Sequence, residues 1–372
     1  MDPSARRTAR AEPRGVTTTE TEPDTRGLTA RDRAAVADPE TDGGEGGRHG
    51  AAIPQLHQLL VLPAPIVVRI LALAHIRRIR QAYRSFVQTG EAERLHDLRV
   101  SVRKLRSLLR DYDREVKGSV RKKDRRRLHE VATTTAALRE LDVRFAWADE
   151  VALDGEEYAA AERLRARNAE TRDDEVAAVQ EELDSALGKL VRRLRKRLRR
   201  YTLELDGKEG GGTVFAVALA DTVTRLRHQF EEQRERAGEL EDEPRIHGVR
   251  ISAKRLRYAI EPAAGTAAGA AATAQLVGLQ DQLGRYLDVG AGVVALDREL
   301  AAAHRDGNAA DVAGLQKLLS RAKDERAELL TSFRGEWIAD SGRRRLAGLD
   351  TLLADVLATA GDFPPDRRVT SS

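Results

Sequence analysis

The sequence predicts an all-α protein, and three observations carry that expectation. From about Pro65 onward, apolar residues recur at spacings of three and four, and β-branched alternation is absent. The composition is rich in the helix formers Ala, Leu, Arg and Glu. A segment beginning at Leu95 returns at Ile246, and a repeat at that distance implies two similar half-domains. The 372 residues leave room for one large or two ordinary domains, and 41 % hydrophobic types suffice for a real core.

Residues 1–55 read as a disordered tail, rich in Thr, Asp, Glu, Arg, Gly and Pro. Within it, Thr41 to Gly47 has linker composition. Helices are predicted near 65–89, 92–116, 120–150, 156–204, 214–238, 243–262, 272–304, 308–337 and 341–360. Thr89-Gly90 marks the first break, and Pro262 ends a later helix. The turn-rich stretch Asp206 to Gly212 divides the helical region almost in half. The expected organisation is a first helical half at 56–205, a linker at 206–213 and a second helical half at 214–362.

Composition also excludes chemistry. With no Cys there is no disulfide scaffold, thiolate metal site or Cys nucleophile. Aromatics at 4 % argue against base-stacking platforms for single-stranded nucleic acid. No apolar run reaches the roughly 18–20 residues of a membrane span. The best candidate, Ile66 to Ile76, carries Arg69 and His75. The N-terminus lacks an apolar signal core, so a cytoplasmic location without membrane contact is expected.

Charge is segregated. Between Arg69 and His129 there are 19 Lys or Arg against 7 Asp or Glu, in a chain whose net charge is only +4. A second run, Arg192 to Arg200, places seven cations in nine residues. Such segregation suits a polyanionic partner, while the plain alternative is a set of solvated helix faces.

The repeat sharpens this. Leu95-His96-Asp97-Leu98-Arg99-Val100-Ser101-Val102-Arg103-Lys104-Leu105-Arg106 matches Ile246-His247-Gly248-Val249-Arg250-Ile251-Ser252-Ala253-Lys254-Arg255-Leu256-Arg257. At about 100° per residue, His96, Arg99, Arg103, Arg106 and Arg110 fall in one band roughly 80° wide. Leu95, Leu98, Val102, Leu105 and Leu109 form an apolar band beside it, and Lys104 points elsewhere, toward solvent. In the second copy the basic band is His247, Arg250, Lys254 and Arg257. Its apolar band is Ile246, Val249, Ala253, Leu256 and Ile260. An ordinary solvated face lies opposite the apolar stripe. Here the basic stripe borders the core, and like charges in single file repel. They need an anion, from the protein or from a ligand. Downstream acids Asp142 and Asp288 are read as structural partners for basic residues on a neighbouring helix.

The paired H-x-x-R-x-x-x-[RK]-[RK]-L-R segments are followed by Leu138-Arg139-Glu140-Leu141-Asp142-Val143 and by Leu279 to Val289. In that order they resemble the CHAD family (conserved histidine α-helical domain) over roughly residues 57–345. The resemblance implies two pseudo-symmetric four-helix bundles and a basic central surface that binds inorganic polyphosphate without catalysis. It implies binding roles for His96, Arg99, Arg103, Arg106, His247, Arg250, Lys254 and Arg257, to which the stripe adds Arg110. Departures are Glu140, where Asp is commoner, and the tail, which has no family counterpart. The family is often fused to a CYTH triphosphatase domain. No alternating Glu and Lys strands are found here, so a stand-alone module is expected, with a triphosphatase and polyphosphate granules as associations.

Arg suits a polyphosphate because its guanidinium donates two parallel hydrogen bonds to phosphate oxygens. His96 and His247 stay open between phosphate donor, structural residue and metal ligand, although no close H-x-x-x-H pair or Cys accompanies them. His57, His75, His129, His228 and His304 show no pattern. Further candidate contacts are Arg77, Arg80 and Arg84 on the first helix, then Lys104, Arg126 and Arg255. Lys122, Arg125 and the run from Arg192 to Arg200 are also candidates. No cofactor is expected. Three other functions remain open. A nucleic-acid-binding protein fits the stripes but lacks a helix-turn-helix signal. A phosphohydrolase would need a Mg²⁺ carboxylate cluster or a phosphate-cradling loop, and Gly210-Gly211-Gly212-Thr213 has no P-loop Lys. A helical protein-binding scaffold is the third.

Overall fold

The computed structural model of the chain describes residues 56–144, 146–150, 153, 155–200, 213–239, 243–338 and 341–361. The predicted tail and residues 206–212 of the predicted linker lie outside the described residues. In chain order the helices are α1 Leu56–Leu60, α2 Ala64–Thr89, α3 Ala92–Asp111, α4 Lys122–Thr134, α5 Ala136–Val143 and α6 Gly155–Arg199. They continue as α7 Phe215–Glu239, α8 Glu243–Ile260, α9 Ala267–Arg305, α10 Ala309–Phe333, α11 Ser341–Arg345 and α12 Ala347–Gly361. Among the described residues the one extended pairing is an antiparallel bridge of Pro63 with Val214. The protein is all-α.

Local chemistry explains where helices start and stop. Gly90 ends α2 at φ 67°, a left-handed conformation that glycine adopts without strain, and its N–H donates to Phe86 O. The helix predicted to reach 116 stops at Asp111. Tyr112 leaves helical geometry and packs its ring 5.9 Å from that of Phe215. The helix predicted over 120–150 breaks at Thr135. In the run Thr133-Thr134-Thr135, the Thr133 and Thr135 hydroxyls donate back to His129 O and Val131 O, each at 3.2 Å. Back-bonded β-branched residues loosen a helix, and this one resumes as α5. The helix predicted from 272 starts at Ala267 instead, because Thr266 Oγ1 accepts the Gly269 N–H at 3.0 Å as an N-cap.

Both apolar bands of the repeat lie in the core. Leu95, Leu98, Val102, Leu105 and Leu109 on α3, and Ile246, Val249, Ala253, Leu256 and Ile260 on α8, are each at most 1 % exposed. They join one cluster with side chains of α2, α6, α7, α9 and α12. A second, smaller cluster packs Ala160, Ala161 and Leu164 of α6 against Val289, Val293 and Leu296 of α9 and Leu315, Leu318 and Ala322 of α10. At 45 residues, α6 is about 68 Å long and serves both clusters.

Helices α3 and α8 pack on each other and are joined by crossed ion pairs. Lys104 of α3 donates to Glu261, just past the end of α8, at 2.7 Å. Arg255 of α8 donates to Asp111, the last residue of α3, at 2.7 Å. Arg78 lies 3.6 Å from Glu261, and Gln229 accepts from Arg255 at 2.9 Å. Lys104 therefore does not point to solvent as expected. Its side chain is 17 % exposed and occupied by Glu261. Burial alone would raise the Asp111 pKa, but hydrogen bonds and charge from Arg110 and Arg255 hold it below the usual value. Glu261 is likewise lowered against its burial, by Lys104, His75 and Arg78.

A third acid fixes the second basic run. The Asp124 side chain is fully buried. It accepts from Arg197 at 2.7 Å, lies 3.5 Å from Arg193, and caps α4 by accepting the Arg121 N–H at 3.1 Å. Part of the Arg192–Arg200 run is thus internal structure.

Two outcomes follow. Removing one partner of a buried ion pair strands the other, so Asp124→Ala should lower stability by about 3 kcal/mol in chemical denaturation. An unmoved midpoint would show the pair to be idle. A double-mutant cycle on Lys104→Ala and Glu261→Ala should return a coupling near ~1 kcal/mol at neutral pH. Glu261 has a depressed folded-state pKa, so that coupling is present above the unfolded pKa of about 4.3 and should fade as pH falls through the folded value.

A candidate anion cavity between two basic helices

With the apolar bands of α3 and α8 fixed in the core, the adjoining basic bands have one place to go. They meet over a cavity of about 530 Å³. From α3 it is lined by Arg103, Arg106, Ser107 and Arg110. From α8 it is lined by His247, Arg250, Lys254, Arg255 and Tyr258, and α4 adds Arg125 and Leu128. Among the described residues that line it there is no Asp or Glu.

Electrostatics in the cavity are one-sided. Lys254 has its pKa lowered to about 6, first by burial and then by the charges of Arg250, Arg103 and Arg257, with Asp288 opposing. Arg106 is lowered by burial and by Arg110 and Arg103. Its Nη2 donates to His129 Nδ1 at 3.1 Å, which brings a histidine with no sequence pattern to the rim. His247 is exposed at the mouth, its pKa lowered by burial, Arg250 and Lys254 and raised in part by Glu243. Arg110 is held by Asp111, with Nε to Oδ1 at 3.1 Å, and donates to Ser107 Oγ at 3.0 Å. Arg103 and Lys254 make no hydrogen bond or ion pair to any described residue.

Other candidates are placed elsewhere. Arg99 turns toward the α4–α5 junction, donating to Ala132 O at 3.1 Å and Thr135 Oγ1 at 2.6 Å. Burial, with Arg103 and Arg139, lowers its pKa to about 10. Arg257 donates to Gln280 at 3.0 Å and lies 4.9 Å over the Tyr258 ring. His96 is exposed and does not line the cavity, nor do Arg77, Arg80 and Arg84 on α2. Arg126 is exposed and lies 3.3 Å from Glu130. Lys104 belongs to the crossed pairs, whereas Arg255 both belongs to them and lines the cavity. Asp142 behaves as the structural acid expected of it, accepting from Arg172 of α6 at 2.6 Å.

Sequence reasoning missed Ser107, Tyr258 and Asp111. Asp111 had a legible signal, as a lone acid directly after the last Arg of the stripe. Tyr258 follows Arg257 and had none. Arg125 was one of several candidates on its helix. Its guanidinium donates to Leu109 O and to Asp113, which anchors α4 beside the end of α3. Among the described residues no group of three or more His, Cys, Asp or Glu could hold a metal ion, and no helix is long and apolar enough to cross a membrane.

No curated protein matches the chain. The crystal structure of the CHAD domain from the plant Ricinus communis superposes with a TM-score of 0.54 at 19 % identity, covering 85 % of this chain and 99 % of that one. A likeness at that identity speaks for the fold alone. The CHAD domain family model matches residues 70–292, a span that holds both basic helices, both downstream segments and every residue lining the cavity. CHAD domains are non-catalytic accessory domains. The chain belongs to the CHAD domain family.

Proposed function

We propose that the chain is a non-catalytic module that binds inorganic polyphosphate in the cavity between α3 and α8. One observation carries the reading. Seven Lys or Arg side chains and His247 converge on a single cavity whose described lining includes no carboxylate. A polyphosphate asks for a row of cations and for no nucleophile or hydride donor. Arginines one turn apart stand about 5 Å from each other along a helix, a repeat that successive phosphate units bridge. Arg103 and Lys254, from equivalent positions of the two copies, are the central contacts, with Arg106, Arg110, His247 and Arg250 around them. Arg99, Arg257 and His96 act on the ligand indirectly or at its ends.

The two copies belong to two half-domains, 56–205 and 214–362, built as four-helix bundles about a pseudo-twofold axis. The crossed ion pairs support this. Lys104 and Arg255 occupy the same place in the repeat, and each meets an acid at or just past the end of the other helix. Association with polyphosphate granules or with a separate CYTH-type triphosphatase is the corresponding cellular role.

Arg103→Glu combined with Lys254→Glu should abolish retention of polyphosphate in pull-down while circular dichroism stays helical. Unchanged retention would place the site elsewhere. Duplex DNA or RNA that displaces polyphosphate at equal phosphate concentration would favour a nucleic-acid reading. Binding should also take up protons. Burial and the neighbouring cations lower the Lys254 pKa to about 6, and a bound polyanion would raise it. Affinity should therefore rise as pH falls from 8 toward 6. Calorimetry in two buffers of different ionisation enthalpy should report the proton, and Lys254→Arg should flatten the pH dependence.

A further inference from the structure

An all-phosphate ligand leaves part of the cavity lining unused. Ile251 is 45 % exposed and lines the cavity together with Tyr258, so apolar surface stands beside the cations. Side chains three and four residues apart on a helix are neighbours. Lys254 therefore has Arg250 and Ile251 on the turn before it and Arg257 and Tyr258 on the turn after, a cation and a largely apolar side chain each time. Its amine stands on the border between a file of guanidiniums and a file of apolar surface. Arg103 repels it from α3, and Asp288 attracts it from α9. Lys254 is half-buried and makes no hydrogen bond or ion pair to a described residue. Lys104, the other lysine drawn inward, is paired with Glu261 at 2.7 Å. Burial first, and then the charges of Arg250, Arg103 and Arg257, lower the Lys254 pKa to about 6. That shift favours the uncharged amine, which is the nucleophilic form.

We infer that Lys254 is an acylation site for acyl phosphates, in a cavity that offers cations to a phosphoryl group and apolar surface to a carbon chain. Arg103, Arg106 and Arg250 hold the phosphoryl oxygens, and Ile251 and Tyr258 receive the acyl group. The Nζ lone pair attacks the carbonyl carbon. The N–C bond forms as the bond from that carbon to the bridging oxygen breaks, and the oxygen leaves with the electron pair. The departing phosphate takes one amine proton and leaves as hydrogen phosphate. An amide remains on Lys254, and the balance needs no further reagent. The arginines that hold the phosphoryl group also stabilise the charge that grows on it as it leaves. The amide carries no charge, so acylation removes a central cation from the cavity and weakens polyphosphate binding. That consequence rests on polyphosphate being the cavity's ligand, whereas the acylation itself does not.

The test applies acetyl phosphate to the full chain, well below saturation, and follows each lysine by peptide mass spectrometry. The comparison is internal to the unaltered protein, so it does not depend on a variant folding. At pH 7, Lys254 should be acetylated at least about tenfold faster than Lys122 and Lys123, which are exposed on α4. Below saturation the rate reports the amine of the free protein. From pH 7.5 to 9 the Lys254 rate should therefore change by less than about twofold, while the exposed lysines gain more than about tenfold. Inorganic phosphate should slow Lys254 at least about fivefold and leave Lys122 unchanged. Arg106→Gln should slow Lys254 about fivefold toward acetyl phosphate, yet by less than about twofold toward the uncharged N-hydroxysuccinimide ester of acetic acid. Acetylation of Lys254 no faster than that of Lys122 would overturn the inference, whether or not polyphosphate binds. A preference that survives inorganic phosphate and is equal for the ester would overturn it too, by showing a reactive amine without a phosphoryl site. Tripolyphosphate is titrated in parallel. Preferential, phosphate-protected acetylation in a protein that fails to bind tripolyphosphate would uphold the acylation site and remove the polyphosphate reading of the cavity.

Discussion

Two like-charged helix faces do not come together unaided. The crossed pairs Lys104–Glu261 and Arg255–Asp111 are what hold α3 and α8 with their basic bands facing. Each pair takes a cation from the middle of one helix and sets it against an acid at the far end of the other, so α3 and α8 are tied at both ends of their crossing. The apolar bands beneath supply the larger share of the association, at about 25 cal/mol per Å² buried. They fix the distance. The crossed pairs fix the angle, and with it the separation of Arg103 from Lys254.

The cavity between these ties is an electrostatic reservoir. Burial first, and then the charges of neighbouring cations, lower the pKa of Lys254 and of Arg106 there. A protein that stabilised this region for its own sake would place carboxylates there, as it does at Asp124, Asp142 and Glu261. Acids that pair internally stand behind the helices or past their ends, and the described lining contains no carboxylate. Under the proposed function, the charges that repel one another in the cavity would together attract a polyanion.

Much of this was legible in the sequence. Periodicity placed the long helices, since burial of a stripe leaves a 3.6-residue signature, and both apolar bands fell in the core residue for residue. The repeat singled out α3 and α8, the two helices whose side chains line most of the cavity. What could not be read was set by tertiary partners. Arg99 and Arg103 share a band, yet Arg99 is claimed by Thr135 and Ala132 because α4 breaks nearby. The break depends on threonine hydroxyls that a propensity argument leaves undecided. Lys104 sits in a different direction from the band, which on an isolated helix means water. Only the position of Glu261, more than 150 residues away in the chain, turns it inward. His96 and His247 match in the repeat, but only His247 reaches the cavity, since pattern describes one helix at a time.

The span of α6 has a bearing on how the molecule comes into being. Its N-terminal turns bury Ala160, Ala161 and Leu164 against α9 and α10, which are synthesised long after it. While the ribosome makes that later stretch, α6 presents an uncovered apolar edge. Contacts of such sequence separation delay folding and leave sticky surface in the meantime. Expressing the chain as two separate fragments, or shortening it after the second basic helix, would leave that edge permanently bare. Aggregation, and not a smaller working version of the protein, is the expected fate of such pieces.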